Sequence, residues 1–474
     1  MAYFHGARAG QKDTSISTPV TAGSGIAFVV GTSPIHIVDG QVNEPIMCMS
    51  YGEAVKNLGY SDNWKNYTIC EAMYSQFVLY GVAPVVFVNV LDPAKHKKAI
   101  AETQYTIEDG KIMLPLETLK NTVEVTEYKE GVDYELLYDK ENLVLEVLEN
   151  GSITPEITEL TIKCSAVDPS MVDENDIIGG FDLATNKHQG LELIDKVFPK
   201  YGIITDLILA PKWSKKSTVA AVMATKAENI NGIFEGKALI DLDSGETTHY
   251  SDVPAKKKED NLFQKYQLVY WPMVKLRDRQ FHMSTQMAGR IANTDTENDD
   301  CPAESPSNKP MKIDGAVLED GTEVLLDLKE ANYLNSQGIG TALNFIGGYV
   351  AWGNETACFP ADTDVKNYFT NISRMFAWVA NSVILTYWSK VDKNMTPRFV
   401  DSIVDSINIW LNGLTAEGKL LGGRVEFRAE DNSLVDIMSG KAKFHIYLTP
   451  PSPAREIEFL LEYDTNYVLA AFAA

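Results

Sequence analysis

Reactive and basic residues are both scarce in this sequence, and each scarcity removes a class of function. Five cysteines, Cys48, Cys70, Cys164, Cys301 and Cys358, are spread over 474 residues, odd in number and with no C-x-x-C. That leaves neither a disulfide framework nor a zinc site of the usual spacing; Cys48 and Cys70 stand in apolar runs and read as small core hydrophobes. The seven histidines, His5, His36, His96, His188, His249, His282 and His445, form no H-x-x-x-H or H-E-x-x-H pair, so no metal is expected. No run of about eighteen apolar residues occurs, so no membrane insertion is expected. The opening MAYFHGARAGQKDTS has no apolar centre, which predicts a chain without a secretory signal that starts life in a cytoplasm. Lys and Arg total 42 against 65 Asp and Glu, a formal net charge of −23. A field of that sign repels nucleic acid and anionic lipid. The two basic clusters, Lys95 to Lys98 and Lys256 to Lys258, adjoin turn formers and read as solvated loops.

Motifs that would carry chemistry fail one by one. GIFEGK, Gly232 to Lys237, is a residue short of a phosphate loop, and Ala238 stands where a magnesium-binding hydroxyl belongs. Gly338 and Gly340 make half a dinucleotide fingerprint, with Leu343 at the third small position. Gly23-Ser24-Gly25 is not a full nucleophile elbow. His188 and Glu192, four apart, read as a surface pair on a helix. Asp206, inside an apolar run, is the best candidate for a perturbed carboxylate and has no partner identifiable in sequence. The expectation is no catalytic, cofactor-binding or metal residue and no cofactor; an α/β enzyme of unknown type is the alternative, and it rests on Asp206.

With 45% hydrophobic residues, the chain can bury a large core, and its length predicts about three domains. Residues 1–22, rich in Gly, Ser and Thr, predict an N-terminal arm. GIAFVVGTSP from Gly25 predicts a buried strand running into a turn. Ser50 with Glu53 makes a capping box opening a helix over Tyr51 to Leu58, a second helix runs from about 67 to 80, where Gly81 stops it, and PVVFVNV, 84–90, predicts a central strand. Between 111 and 164 alternation replaces the helical period: Val123/Val125, Tyr134/Leu136/Tyr138, Leu143/Leu145/Val147 and Leu160/Ile162/Cys164. These predict a small all-β module, 95–174, inserted into an α/β domain of 23–94 and 175–330. There a helix over 187–198, a strand over 203–209, a helix over 217–229 and a strand over 237–242 predict a mostly parallel sheet with helices on its faces; 293–310 reads as a loop.

Residues 331–453 predict an α+β domain. Its long helix, 365–388, carries the stripe Phe369, Ile372, Phe376, Val379, Val383 and Tyr387. A second helix is capped by Thr396 with Pro397 as its first residue. On it Arg398, Asp401, Ser402, Asp405, Asn408 and Asn412 form a polar face. Strands are expected over 424–428, 441–448 and 455–463. In the last, Ile457, Phe459, Leu461 and Tyr463 alternate with Glu456, Glu458 and Glu462, which requires a sheet with one buried face. Pro450, Pro451 and Pro453 hold this segment, 454–474, away from the preceding domain.

Several of these stretches resemble the contractile tail sheath proteins of bacteriophages and phage-tail-like particles, and the likeness covers nearly the whole chain. GIAFVVGTSP, the capped helix and PVVFVNVLDP are similar to the start of many sheath subunits. In LNSQGIGTALNFIGGYVAWGNET, Leu334 to Thr356, the residues Leu334, Asn335, Gly338, Ile339, Trp352, Gly353 and Thr356 match the family signature. Gly340 departs from it, standing where Asn is frequent, and so does Glu355, where Arg commonly precedes the Thr. Gly422-Gly423-Arg424 and PPSPAREIEFLLEYD are also typical of the family's end.

The resemblance implies a non-catalytic, subtilisin-like core and a mechanical role. Subunits would stack as hexameric rings around a tail tube, then contract on a baseplate signal to drive the tube through a target cell envelope. The implied partners are other copies of this chain, the tail tube protein, and baseplate and tail terminator proteins. The implied location is the bacterial cytoplasm during assembly, then the virion tail or a released particle. The resemblance also favours exchange of both chain ends into neighbouring subunits, the last strand through Arg455, Ile457, Phe459, Leu461 and Tyr463, beside the plainer reading that both ends fold back onto their own subunit. Arg398, Asp401 and Asp405 become candidates for a tube-facing helix, beside the plainer reading of a solvated face. R-type bacteriocins use the same subunit, so both particles stay open at this point.

Overall fold

Uncharged, β-branched runs buried at every position belong at the middle of a sheet covered on both sides. The computed structural model, which describes residues 19–183 and 186–472, places two such runs side by side: β1 (Ala27–Gly31) and β3 (Val85–Asn89). With β2 (Ile46–Cys48), β4 (Leu207–Leu209), β5 (Lys237–Asp241) and β6 (Gln267–Tyr270) they form a six-stranded sheet in the order β6-β5-β4-β1-β3-β2. Every pairing is parallel except β2 with β3. Successive side chains serve opposite faces. Phe28, Val30, Val86, Val88, Ile208 and Ile240 enter one buried cluster, and Ala27, Val29, Val85, Phe87, Leu207 and Leu239 enter the other.

Helices cover both faces. On one side lie α1 (Tyr51–Leu58) and α2 (Thr68–Met73). Ser50 caps α1 by accepting from the Glu53 N–H at 3.3 Å, and Glu53 returns a bond to the Met49 N–H at 2.8 Å. From Tyr74 to Tyr80 the continuation of α2 widens to a π-helix, and Gly81, at φ 66°, closes it. On the other side lie α3 (Ser217–Glu228) and, further along the chain, helices that also pack on this cluster. Residues 97–167 build a separate pair of antiparallel three-stranded sheets around their own small core, which includes Leu114, Leu136, Leu145 and Ile162.

Three expectations need correction. The stretch 187–198 is not one helix: Lys187–Gln189 pairs as a short strand with Gly180–Asp182, and a 3-10 turn and the helix Val197–Tyr201 follow. Gly190 causes the break, because it sits at φ 58° with no room for a Cβ, which would lie 2.4 Å from the Ile177 carbonyl. His188 and Glu192 therefore do not pair; Glu192 binds Lys226 at 2.7 Å instead. Second, 293–310 is not all loop, since helix α4 (Met283–Thr296) runs into it with Thr294 and Asp295 buried. Third, the long helix divides. After α5 (Leu328–Asn335), Val365–Tyr368 is a single turn, Phe369 is extended, and α6 (Thr370–Tyr387) follows. The interruption occurs because backbone there bonds sideways: Thr356 N–H donates to Tyr368 O at 2.7 Å and Thr370 N–H to Asn354 O at 2.8 Å.

After α6, Thr396 caps α7 (Pro397–Ala416) by accepting from the Phe399 N–H at 3.2 Å. On α7 rests an antiparallel pair, β9 (Gly422–Glu426) with β10 (His445–Thr449), numbers that leave β7 and β8 to the hairpin Thr341–Asn344 and Tyr349–Trp352. The expected strand over 455–463 is not formed within the subunit: no residue of that segment joins a strand ladder among the described residues, and Leu461 is 97% exposed. Of the expected N-terminal arm, 1–18 lies outside the described residues.

A buried ion cluster joins α6 to the sheet. Arg374 donates to Asp206 at 2.9 Å, to Asp295 at 2.9 Å and to the Ser24 hydroxyl at 3.1 Å. Asp206 also accepts the Ile26 N–H at 2.8 Å, so the partner missing from the sequence reading lies 168 residues away. Burial pushes the Asp295 carboxyl up, and the guanidinium beside it pulls the other way. Removing one member of such a cluster leaves a buried charge unpaired. Arg374→Ala is expected to lower unfolding free energy by about 3–5 kcal/mol, measured by urea denaturation, with Asp206→Asn milder because Asp295 keeps its partner.

Candidate assembly surfaces

The seven signature residues come together as a joint. Asp327 caps α5 in a box with Glu330, and at the helix end Asn335 donates its amide to Ile339 O at 3.0 Å and to Trp352 O at 3.0 Å. That one side chain ties the helix to the β7–β8 hairpin. Leu334 and Ile339 are buried in the main core. Gly338, at φ 65°, leaves no space for a Cβ, which would lie 2.7 Å from both the Phe359 and Thr356 carbonyls. Gly353, at φ 136°, presses on Gly340, whose Cα would be 3.0 Å from an added Cβ. Thr356 is fully buried and donates its hydroxyl to Asn367 O at 2.9 Å.

Gly340 has its own constraint here. Its N–H donates to Val269 O at 2.8 Å and its carbonyl accepts from Trp271 at 3.1 Å, extending β6. A Cβ there would stand 2.8 Å from the Tyr270 ring, so any larger residue would have to displace that side chain. Glu355, the other departure, has a side chain only 6% exposed; its cationic partner is Arg455, at 4.0 Å. Burial pushes the Glu355 carboxyl up, against the Asn354 N–H and Arg455.

The C-terminal segment leaves the body at that point. Asn371 donates to Pro451 O at 3.3 Å, and from Glu456 to Asp464 the chain forms no regular element and is open to solvent, before a short helix over Asn466–Phe472. Phe459 is 82% and Tyr463 82% exposed, far more apolar surface than an isolated chain keeps wet without a partner. The β9–β10 pair also leaves each of its two strands with one unpaired edge. Its inner face is covered by α7, with Val425 buried. Between its strands the short helix Leu434–Met438 exposes Leu434, Val435 and Met438, a patch the sequence reading missed because no periodicity marks five residues.

On α7, Arg398, Asp401, Ser402, Asp405 and Asn412 are exposed, and among the described residues Arg398, Asp401 and Asp405 have no ion-pair partner. Asn408 does not belong to that face. Its amide accepts the Val425 N–H at 2.9 Å and so holds β9 on the helix.

A polar cluster at the carboxyl ends of β4 and β5 also escaped the sequence reading, its members being far apart in the chain. Ser214 and Ser284 both bond to the Asp241 carboxylate, and the His282 ring bonds Glu71 at 2.8 Å. Burial opposes charge on His282, yet Glu71 lifts it to about 9. The serines serve Asp241, so the arrangement stabilises the loops after the strands.

No protein-family model matches the chain. The tail sheath protein of Burkholderia phage BcepMu is 28% identical over 488 aligned residues, covering 98% of this chain and 98% of that protein. Among solved structures, the sheath of an extracellular contractile injection system, PVC, in its contracted state superposes with a TM-score of 0.58 at 12% identity, over 98% of this chain and 99% of that one. A chain from the anti-feeding prophage baseplate, 6-fold symmetrised, gives 0.57 at 15% identity, over 98% and 100%. At such identities the structures share a multidomain α/β fold.

Because Asn335 satisfies two carbonyls at once, Asn335→Ala is expected to cost about 1–3 kcal/mol of stability. Gly353→Ala is expected to cost at least as much, through its backbone angle and the contact with Gly340. Thermal and urea unfolding of the two variants check this.

Proposed function

We infer that this chain, homologous to a phage tail sheath protein from end to end, is a structural subunit of a contractile tail sheath. The observation that carries the reading is the 98% coverage of both sequences in that comparison. The shared fold with a contracted sheath chain supports it independently. The relatives are structural proteins, in keeping with a role that needs no reactive centre, and the phage source of the sequence relative favours a phage tail over a bacteriocin.

In this reading the subunit polymerises as stacked hexameric rings around a tail tube, held between a baseplate and a terminator, and contracts to push the tube through an envelope. The 6-fold baseplate chain of like fold supports the ring symmetry. The α/β core takes a subtilisin-like path without its chemistry. Residues 454–474 form the exchanged arm: Ile457, Phe459, Leu461 and Tyr463 present one face of a strand that pairs with a β9 or β10 edge of a neighbour, supplying the backbone partners both lack. Arg398, Asp401 and Asp405 face the tube. Exposed pairs there, worth about 0–1 kcal/mol each, hold before contraction and let go during it.

Two experiments test these assignments. Removal of residues 454–474 is expected to give a soluble protein with wild-type circular dichroism that forms no cylinders in electron micrographs; normal cylinders would refute strand exchange. Reversing Asp401 and Asp405 to Lys is expected to weaken co-sedimentation with tube while sheath polymerisation is kept. Unchanged tube binding would remove α7 from that interface.

A further inference from the structure

Glu355 is a carboxylate held where water barely reaches it. Its side chain is 6% exposed, one oxygen accepts the Asn354 N–H at 2.9 Å, and its backbone bridges to Phe369 at the break before α6. It lines a groove of about 710 Å³ between the β7–β8 hairpin, the segment 305–308 and the chain from Pro453. Apart from Glu355, the body lines this groove with serine, asparagine, glycine, tryptophan and phenylalanine, and so with no other charge. A carboxylate so placed needs a cation, and the body side of the groove supplies none.

The cation comes from the chain that is leaving. Arg455 brings Nη1 to 4.0 Å from the Glu355 carboxylate; Glu456, beside it, is the other charge that this segment adds to the groove. Just upstream, the Asn371 amide on α6 donates both to Pro451 O at 3.3 Å and to Ala303 O at 2.9 Å. The two partners are unequally exposed. The Arg455 side chain is 54% exposed and loses little by departing, whereas the Glu355 side chain stays behind. A charge pair with one partner in water is weak, but breaking it leaves the buried member without a cation. Contacts of this balance hold a segment most of the time and still let it go.

We propose that Glu355 and Arg455 form a reversible latch that seats residues 451–455 on the groove. Seated, the latch sets the direction in which the chain leaves the body. Released, it opens the groove and lets the stretch through Pro451 and Pro453 turn. Glu355 is therefore a positioning residue for the C-terminal segment, a role separate from the packing of the joint. The consequence for the sheath rests on the strand-exchange reading: a latched free subunit offers its last segment along one path, and release lets that path change as neighbours rotate. The latch itself belongs to the free subunit.

The test uses the full-length free subunit with a nitroxide at Ser452→Cys, an exposed position off the groove, in a chain whose native cysteines are all buried. Electron paramagnetic resonance reads the ratio of mobile to immobile label. Glu355→Gln and Arg455→Gln are each expected to raise that ratio about fivefold, equivalent to about 1 kcal/mol, and the double variant no further than either alone. Unchanged ratios overturn the latch. Additive effects overturn it too, because Glu355 would then act through the body and not through Arg455. Should Glu355→Gln misfold by circular dichroism, salt decides: raising NaCl is expected to mobilise the label in the wild type and not in Arg455→Gln, and equal responses in the two overturn the proposal. Failure of strand exchange would read differently, as cylinders formed without residues 454–474, and would leave these spectra as they are.

Discussion

Asp295 is fully buried in the middle of the molecule, and Arg374 is the cation that makes this tolerable. A carboxylate taken out of water without a partner is costly, so the fold of α4, the position of α6 and the course of the chain before β1 are all answerable to that one guanidinium. Through Asp206 the same group fixes the start of β4, and through Ser24 it fixes where the N-terminal chain meets the sheet. Three regions distant in sequence are thereby held as one body.

Against this fixed body stand segments that lack partners. The chain after Pro453 presents alternating apolar side chains to water, while a two-stranded sheet on α7 leaves two edges open. In the proposed strand exchange each deficiency complements the other, and a polymer would resolve both together. Links of that kind would tolerate large rotations between rigid bodies, because the proline-rich connection would turn while the paired strands stay paired. The exposed acidic surface serves the same end: with many like charges on the outside, association depends on the specific links and not on general stickiness.

Local signals were legible in the sequence where a short stretch decides the outcome. The buried strands around Val29 and Val86, the Ser50 and Thr396 caps and the glycine stop at Gly81 are all of this kind. Long-range partners were not legible. Asp206 looked solitary because Arg374 lies on a distant helix, and the end of α4 looked like loop because Asp295 is a polar residue whose cation lies on that same distant helix. The break at Phe369 had the same origin: an apolar stripe continues across it, but the backbone is claimed by residues 354–356. The signature residues were identifiable as a pattern, yet their role as a joint depends on backbones that leave no room for a Cβ at Gly338 and Gly353, which no pattern reveals.

The account stands on one picture, a rigid subunit linked to its neighbours by strands. A cryo-electron microscopy map of sheath assembled from this chain, in the extended and the contracted state, tests it most directly. The account predicts residues 455–463 as a β-strand hydrogen-bonded to β9 or β10 of an adjacent subunit in both maps, with the body around Arg374 superposing unchanged. Density showing that segment folded back on its own subunit, or released from its neighbour on contraction, would contradict it.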